Sequence, residues 1–260
     1  LLQASPLRVQ AAHLSFQEYF AARAICDGRR EHGTQLRTLR PWQLPVWWSN
    51  AVRLGVEMGD AFGRGMLEAA GDLSGGADQR AGGSVRVPRM GGDSHTSALA
   101  VGAALFAATH VGEARVGRAS LQLKELREGT ATNLAFTNVG DQELVVLAGI
   151  LGAGPPSRRW ELSLERSTRF GRDGTTALAR TRSLTHLDLS GTKMGDTQMR
   201  AVGRALLACS GSSLGSLKCA AFDLSAGVTE CNPINNGVGN AAAVLLAGAL
   251  KFQASVTFLN

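Results

Sequence analysis

Four leucines in the second half of the chain, Leu134, Leu162, Leu187 and Leu217, stand 28, 25 and 30 residues apart, each inside a short stretch of L-x-L character. A period of that length is a repeated supersecondary unit, so the chain must adopt a fold in which like units stack. The first unit reads Asn133-Leu134-Ala135-Phe136, turns at Val139-Gly140-Asp141 and continues from Leu144 to Leu151. The second runs through Leu162-Ser163-Leu164, Phe170 to Gly174 and Ala177-Leu178-Ala179; the third through Leu184 to Leu189, Met194-Gly195-Asp196 and Met199 to Leu207. The fourth starts at Leu214 to Cys219 and reaches an Ala/Leu-rich stretch at Ala241 to Leu250. A fifth opens at Val256 to Asn260, with Leu259 standing 42 residues past Leu217. That interval is one period plus an insertion of about 14 residues near Ala220–Pro233. One strand–turn–helix unit cannot close its own core, so the inward leucines of neighbouring strands are expected to share one, with the helices outside.

Side chains alternate along a strand, so the residues between the leucines point away from that core. They are Asn133, Ala135 and Thr137 in the first unit and Glu161, Ser163 and Glu165 in the second. The third contributes His186, Asp188 and Ser190, and the fourth Ser216 and Lys218. Glu161, Ser163, Glu165, His186, Asp188, Ser190, Ser216 and Lys218 are the candidate partner-binding residues.

Residues 1–70 read as helical. Between His13 and Ile25 the spacing of Leu14, Phe16, Tyr19, Phe20, Ala21, Ala24 and Ile25 predicts one buried helical face. Ser15 followed by Glu18 has the form of a capping box, and Asp27-Gly28 is a stop. Seven glycines between Gly71 and Asp93 make residues 71–97 a linker or a long, disordered loop. Residues 98–128 regain helical character through Leu99, Leu105, Leu121, Leu123 and Leu126, and open the repeat region 98–260, which is clearest from 131.

Hydrophobic residues make up 44% of the 260 positions, enough for a buried core. No run of 18 apolar residues exists, which argues against membrane insertion, and Leu1-Leu2 is too short for a signal peptide. Four cysteines without a C-x-x-C pair argue against a metal site or a disulfide framework and fit a reducing, cytoplasmic setting. The net charge of +6 divides as +2, +1 and +3 over residues 1–70, 71–130 and 131–260. Charge spread this thinly points away from nucleic acid as the main partner. Five scattered histidines and the absence of an H-E-x-x-H run give no metal centre, and the reading is of a non-enzyme. The pair Glu161 and Glu165 is explained by the repeat, as exposed strand neighbours, without a two-carboxylate mechanism.

The third unit, Leu184 to Leu207, resembles a leucine-rich repeat of the ribonuclease-inhibitor type, and Asn235 to Leu250 resembles the second half of one. The second unit departs from that pattern in its short helix and Arg-rich turn. At the other end, His13-Leu14-Ser15-Phe16-Gln17-Glu18-Tyr19-Phe20-Ala21-Ala22 is similar to the end of the winged-helix region of NACHT-type STAND NTPases, the NOD-like receptors, with Ala11 where that family has an aromatic residue. The two signatures stand in that family's order.

The resemblance implies an α/β leucine-rich-repeat solenoid of short parallel strands and outer helices, behind a helical module. It implies a protein–protein interaction function, in the repeat-bearing part of a signalling or innate-sensing receptor that takes a protein partner on its concave face. It assigns His13 the phosphate of bound ADP, in a full-length protein only. This chain has no G-x-x-x-x-G-K-S/T loop, so no cofactor is expected on it and His13 by itself reads as a helix-start residue. Two other readings stand beside this one: a regulatory fragment of an ATP/ADP-switched STAND NTPase, and a repeat protein acting as a GTPase activator. Both ends look cut, and a fragment or incomplete gene product is expected. The sequence sets no oligomeric state.

Overall fold

Leu134, Leu162, Leu187 and Leu217 lie in direct register on four neighbouring parallel strands, and all four are buried. This computed structural model describes residues 2–4, 8–10, 14–26, 49–59, 61–63, 65, 83–87, 95–155, 157–164, 166–167, 170–209, 213–225, 227–231, 239–253 and 258–259. Its first part holds β1 (Leu2–Ala4), β2 (Arg8–Gln10), α1 (Leu14–Cys26) and α2 (Ser49–Glu57). Next come β3 (Gly83–Val87), α3 (His95–Ala107), β4 (Val111–Val116), β5 (Ala119–Gln122) and α4 (Leu123–Glu128). The stacked part follows with β6 (Asn133–Ala135), α5 (Asp141–Ala153), β7 (Trp160–Ser163), α6 (Arg172–Ala179), β8 (Leu184–Asp188), α7 (Asp196–Ala208) and β9 (Ser216–Lys218). It closes with β10 (Asp223–Leu224), β11 (Glu230–Cys231), α8 (Asn240–Leu250) and β12 (Phe258–Leu259). The architecture is mixed α/β, with parallel strands backed by helices. No helix among the described residues is long and apolar enough to cross a membrane.

The main sheet has the order β10-β9-β8-β7-β6, parallel from β6 to β9. Helices α5, α6, α7 and α8 pack one on the next behind it, and α3 packs on α5. Leucines from the strands and apolar residues from the helices form one continuous core, from Val85 to Ala249. The helices start alike. Gly140 and Gly195 each precede a helix, and the backbone amide of each donates to the residue three places on, Glu143 or Gln198, at 3.1 Å. This is the reaching-back half of a capping box; glycine has no side chain to supply the other half. Helix ends are closed from neighbouring elements. The guanidinium of Arg127 donates to the carbonyls of Leu105, Phe106, Ala108 and Val111, at 2.7 to 3.0 Å, where α3 ends. Ser183 does the same for Leu151 on α5, and Lys251 for Leu207 and Cys209 at the end of α7.

The structure departs from the expected pattern in several places, the first within residues 1–70, where Leu2–Ala4 and Arg8–Gln10 pair as antiparallel strands ahead of the helices. Gly83–Val87, inside the Gly-rich stretch, is a strand paired in parallel with β4 through the crossover helix α3. Val111–Val116 and Ala119–Gln122 form an antiparallel hairpin around Gly117, whose φ of +57° suits glycine, so residues 98–128 are helical only at their two ends. The strand Phe258–Leu259 pairs with β11 and does not extend the main sheet. Asp223–Leu224 folds back antiparallel on β9 and takes that edge first. On α1 the aromatic side is not the buried one: Phe16, Tyr19 and Phe20 are exposed, while Ala22 is fully buried against a cluster with Ala51, Val52 and Phe62. Helices approach closely through small residues, so the alanine side of α1 packs inward and the bulky side is left out.

Candidate functional site

The register of β6 to β9 places the outward residues in two rows. Asn133, Glu161, His186 and Ser216 are successive partners in one, and Ala135, Ser163, Asp188 and Lys218 in the other. Asp223 of β10 stands opposite Lys218 and extends the second row. These rows exist because each strand is three to five residues long and carries one inward register leucine, whose immediate neighbours face out.

The face is polar and carries both signs. His186 Nδ1 lies 3.7 Å from Glu161 Oε1, both side chains about half exposed. The same nitrogen is 3.0 Å from the Thr185 hydroxyl. Lys218 Nζ lies 3.8 Å from Asp223 Oδ2. Exposed pairs at such distances hold orientation more than they stabilise. Asp188 differs: its Oδ1 accepts the Ser190 amide at 2.7 Å and the Ser190 hydroxyl. It therefore shapes the turn out of β8 as well as facing outward, and charge reversal there would disturb the backbone. Glu161 and Lys218 are the cleaner probes of the face.

Of the eight residues expected on this face, Glu161, Ser163, His186, Asp188 and Lys218 are brought together with accessible side chains. Ser190 is held in the turn beyond Asp188. Ser216 occupies the outward row but is buried, so it offers no contact surface. Glu165 and His13 lie outside the described residues. Asp223 is the member missed by sequence reasoning; its strand arises only from pairing back on β9, and a two-residue strand leaves no periodic signal.

Gly211-Ser212-Ser213-Leu214-Gly215 has the spacing of a nucleophile elbow. That motif requires a strand-to-helix turn, and Ser213 sits in a helix-to-strand connection, between α7 and β9. Among the described residues no group of three or more His, Cys, Asp or Glu side chains is placed to hold a metal ion. Neither Cys209 nor Cys219 forms a disulfide among the described residues. On the small sheet, Glu113 accepts from Ser120 Oγ at 2.7 Å and from Arg115 Nε at 2.9 Å. The Ser120 bond chiefly, then Arg115, holds its carboxyl below the usual carboxylate range. No protein-family model and no curated protein matches this chain.

Proposed function

We propose that this chain is a protein–protein interaction module. In this reading it is a stack of leucine-rich repeats of the ribonuclease-inhibitor type, forming the repeat-bearing part of a NACHT-like signalling receptor in the cytoplasm. It takes a protein partner on the outward face of its main sheet. The observation that carries this is the leucine register, Leu134 to Leu162 to Leu187 to Leu217. Each unit gives one leucine to a shared core, and the same alternation gives polar side chains to a common surface. A surface fixed by a sheet is ordered before a partner arrives, so binding loses little conformational entropy on the module's side. The acids Glu161, Asp188 and Asp223, set against Lys218, supply the charge pattern that selects one partner over another.

The test is a comparison of baits made from the whole chain. Proteins captured from a cytoplasmic extract by the wild-type chain are compared with those captured by E161K/K218E. A second bait, K193E/R200E, carries its substitutions off the sheet face, in the turn before α7 and on that helix. At least one protein lost by the face variant and kept by the control is expected. Equal capture by all three baits overturns the reading. Saturable micromolar binding of ADP to the chain would replace it with a nucleotide-held regulatory role.

A further inference from the structure

The helix-to-strand connections of the stacked part are rich in cations. Strands β6 to β9 run parallel and each helix returns against them, so every helix-to-strand connection falls on one rim. Hydrogen bonds trace that rim from unit to unit. The Trp160 amide donates to Ser183 O at 2.9 Å and the Ser183 hydroxyl to Leu151 O at 3.0 Å. Further along, the Gly215 amide donates to Thr185 O at 2.7 Å and the Gln253 side chain to Gly215 O. The connections along it carry Arg158, Arg159, Arg180, Arg182 and Lys251. No Asp or Glu occurs in residues 152–160, 178–187, 201–222 or 241–257. The opposite rim, where the helices begin, holds Asp141, Asp173 and Asp196, with Arg172 and Lys193 in the same connections.

Helix polarity explains part of this. Cations are favoured at helix C-termini, and acids at N-termini. Arg158 reaches the Leu126 carbonyl and covers the Trp160 ring at 5.5 Å, and Lys251 donates to Leu207 and Cys209 at 2.6 and 2.7 Å. Arg180 and Arg182 are not used in this way. Both are exposed, and neither has a carboxylate partner among the described residues. Arg182 lies beyond the end of α6, two residues before β8. Two exposed guanidinium groups with no carboxylate partner, on a rim whose acids are Glu128 at the end of α4 and Glu161 at the start of β7, are unused binding capacity.

We infer that this rim is a second docking surface, for an acidic polypeptide segment whose carboxylates are taken by Arg180 and Arg182 with Arg159 and Lys251 flanking. Carboxylates suit it better than phosphates. Phosphate sites draw on amides at helix N-termini, which lie on the opposite rim. Single-stranded nucleic acid needs exposed aromatic platforms, and Trp160, beside this rim, is fully buried. A guanidinium fork matches a carboxylate in two bonds. An extended peptide repeats its same-side residues every ~7 Å. Neighbouring units of the stack step by ~5 Å at the strands and ~10 Å at the helices, which brackets that spacing.

Fluorescence anisotropy with a labelled octaglutamate peptide and the whole chain tests this. R180E/R182E is compared with the charge-matched K193E/R200E, so that net charge alone predicts no difference. Wild type and K193E/R200E are expected to bind alike, with affinity falling as salt is added, and R180E/R182E roughly tenfold more weakly. R180Q/R182Q gives the same ordering if the reversal variant fails to fold. Equal weakening by both double variants overturns the proposal, as does no binding by wild type. Tighter binding of an oligothymidylate of equal charge or of phosphatidylserine vesicles, lost in R180E/R182E, also overturns it in favour of those partners. The readout leaves Glu161 and Lys218 untouched, so it stands or falls apart from the sheet-face reading.

Discussion

The Asp141 carboxylate accepts the backbone amide of Gly171 at 2.6 Å, and its same oxygen accepts that of Gly174 at 2.9 Å. A residue on the first turn of α5 thus closes the amino end of α6, doing from a neighbouring helix what a capping side chain does from within. Gly171 cannot cap itself, and a side chain at Gly174 would run into Asp141 and Leu144. Asp141→Ala strands two amides and should lower stability by about 1–3 kcal/mol, measured by urea unfolding. Asp141→Asn, which keeps an acceptor but loses the charge, should fall between wild type and alanine. A loss no larger than that of an ordinary surface change would show that water replaces the carboxylate.

Leu187 stands between Leu162 and Leu217 in the spine and is almost completely buried. Leu187→Ala should cost about 2–5 kcal/mol by thermal or chemical unfolding. Lys218→Glu, one residue beyond Leu217 on the outward face, should stay within about 0.5 kcal/mol. Similar costs for the two would mean that burial does not alternate along these strands.

Two glycines in helices should respond to alanine with opposite sign. A methyl group on Gly203 of α7 would strike the backbone of α8 at Val244 and Leu245, and one on Gly248 would sit 2.6 Å from Gly203 O. Neither backbone can yield as a flexible side chain would. Gly203→Ala should therefore destabilise by about 1–3 kcal/mol. Gly152, in α5, has open space where its side chain would be. Gly152→Ala should stabilise by about 0.5–1 kcal/mol through helix propensity alone. Calorimetry on the pair separates close packing from propensity.

Glu113 gives a pH dependence of known sign. Its carboxyl is held low in the folded chain, first by Ser120, then by Arg115. A depressed folded value stabilises above the unfolded carboxylate range near ~4.3, and the contribution disappears as pH falls through the folded value. The stability difference between wild type and Glu113→Gln should therefore be present at neutral pH and vanish in acid. A difference that grows on acidification would reverse the assignment. Glu113 is partly exposed, so the effect is screened and small.

The strand spine was legible because a core shared between units demands the same residue type once per unit, and Leu134 through Leu217 keep that rhythm. The segment from Val111 to Gln122 was not. Leu121, Leu123 and Leu126 mimic helical spacing, whereas the hairpin shows itself only in the short alternation of Ala114 and Val116 and in the turn at Gly117. Gly83–Val87 was hidden for a related reason: only Val85 and Val87 face the core, and glycines on either side outweigh them. On the candidate face, alternation gave the direction of each side chain but not its surroundings. It therefore missed the burial of Ser216 and the turn that Asp188 holds. The exposed aromatics of α1 are the same failure at helical spacing, since a pattern names a stripe without saying which side its neighbour approaches.

The fold-back at Asp223–Leu224 governs how these molecules can associate. A sheet that grows by adding strands from other molecules needs an acceptor edge at each end, because every newcomer must present one to the next. At the Lys218 end the outer edge is β10, which at two residues leaves little backbone for a newcomer to pair with. Strand addition is left to the Asn133 end of the main sheet, where two molecules could meet only edge to like edge. Such a contact terminates at a pair, and growth beyond it would have to pass through the two-residue edge of β10.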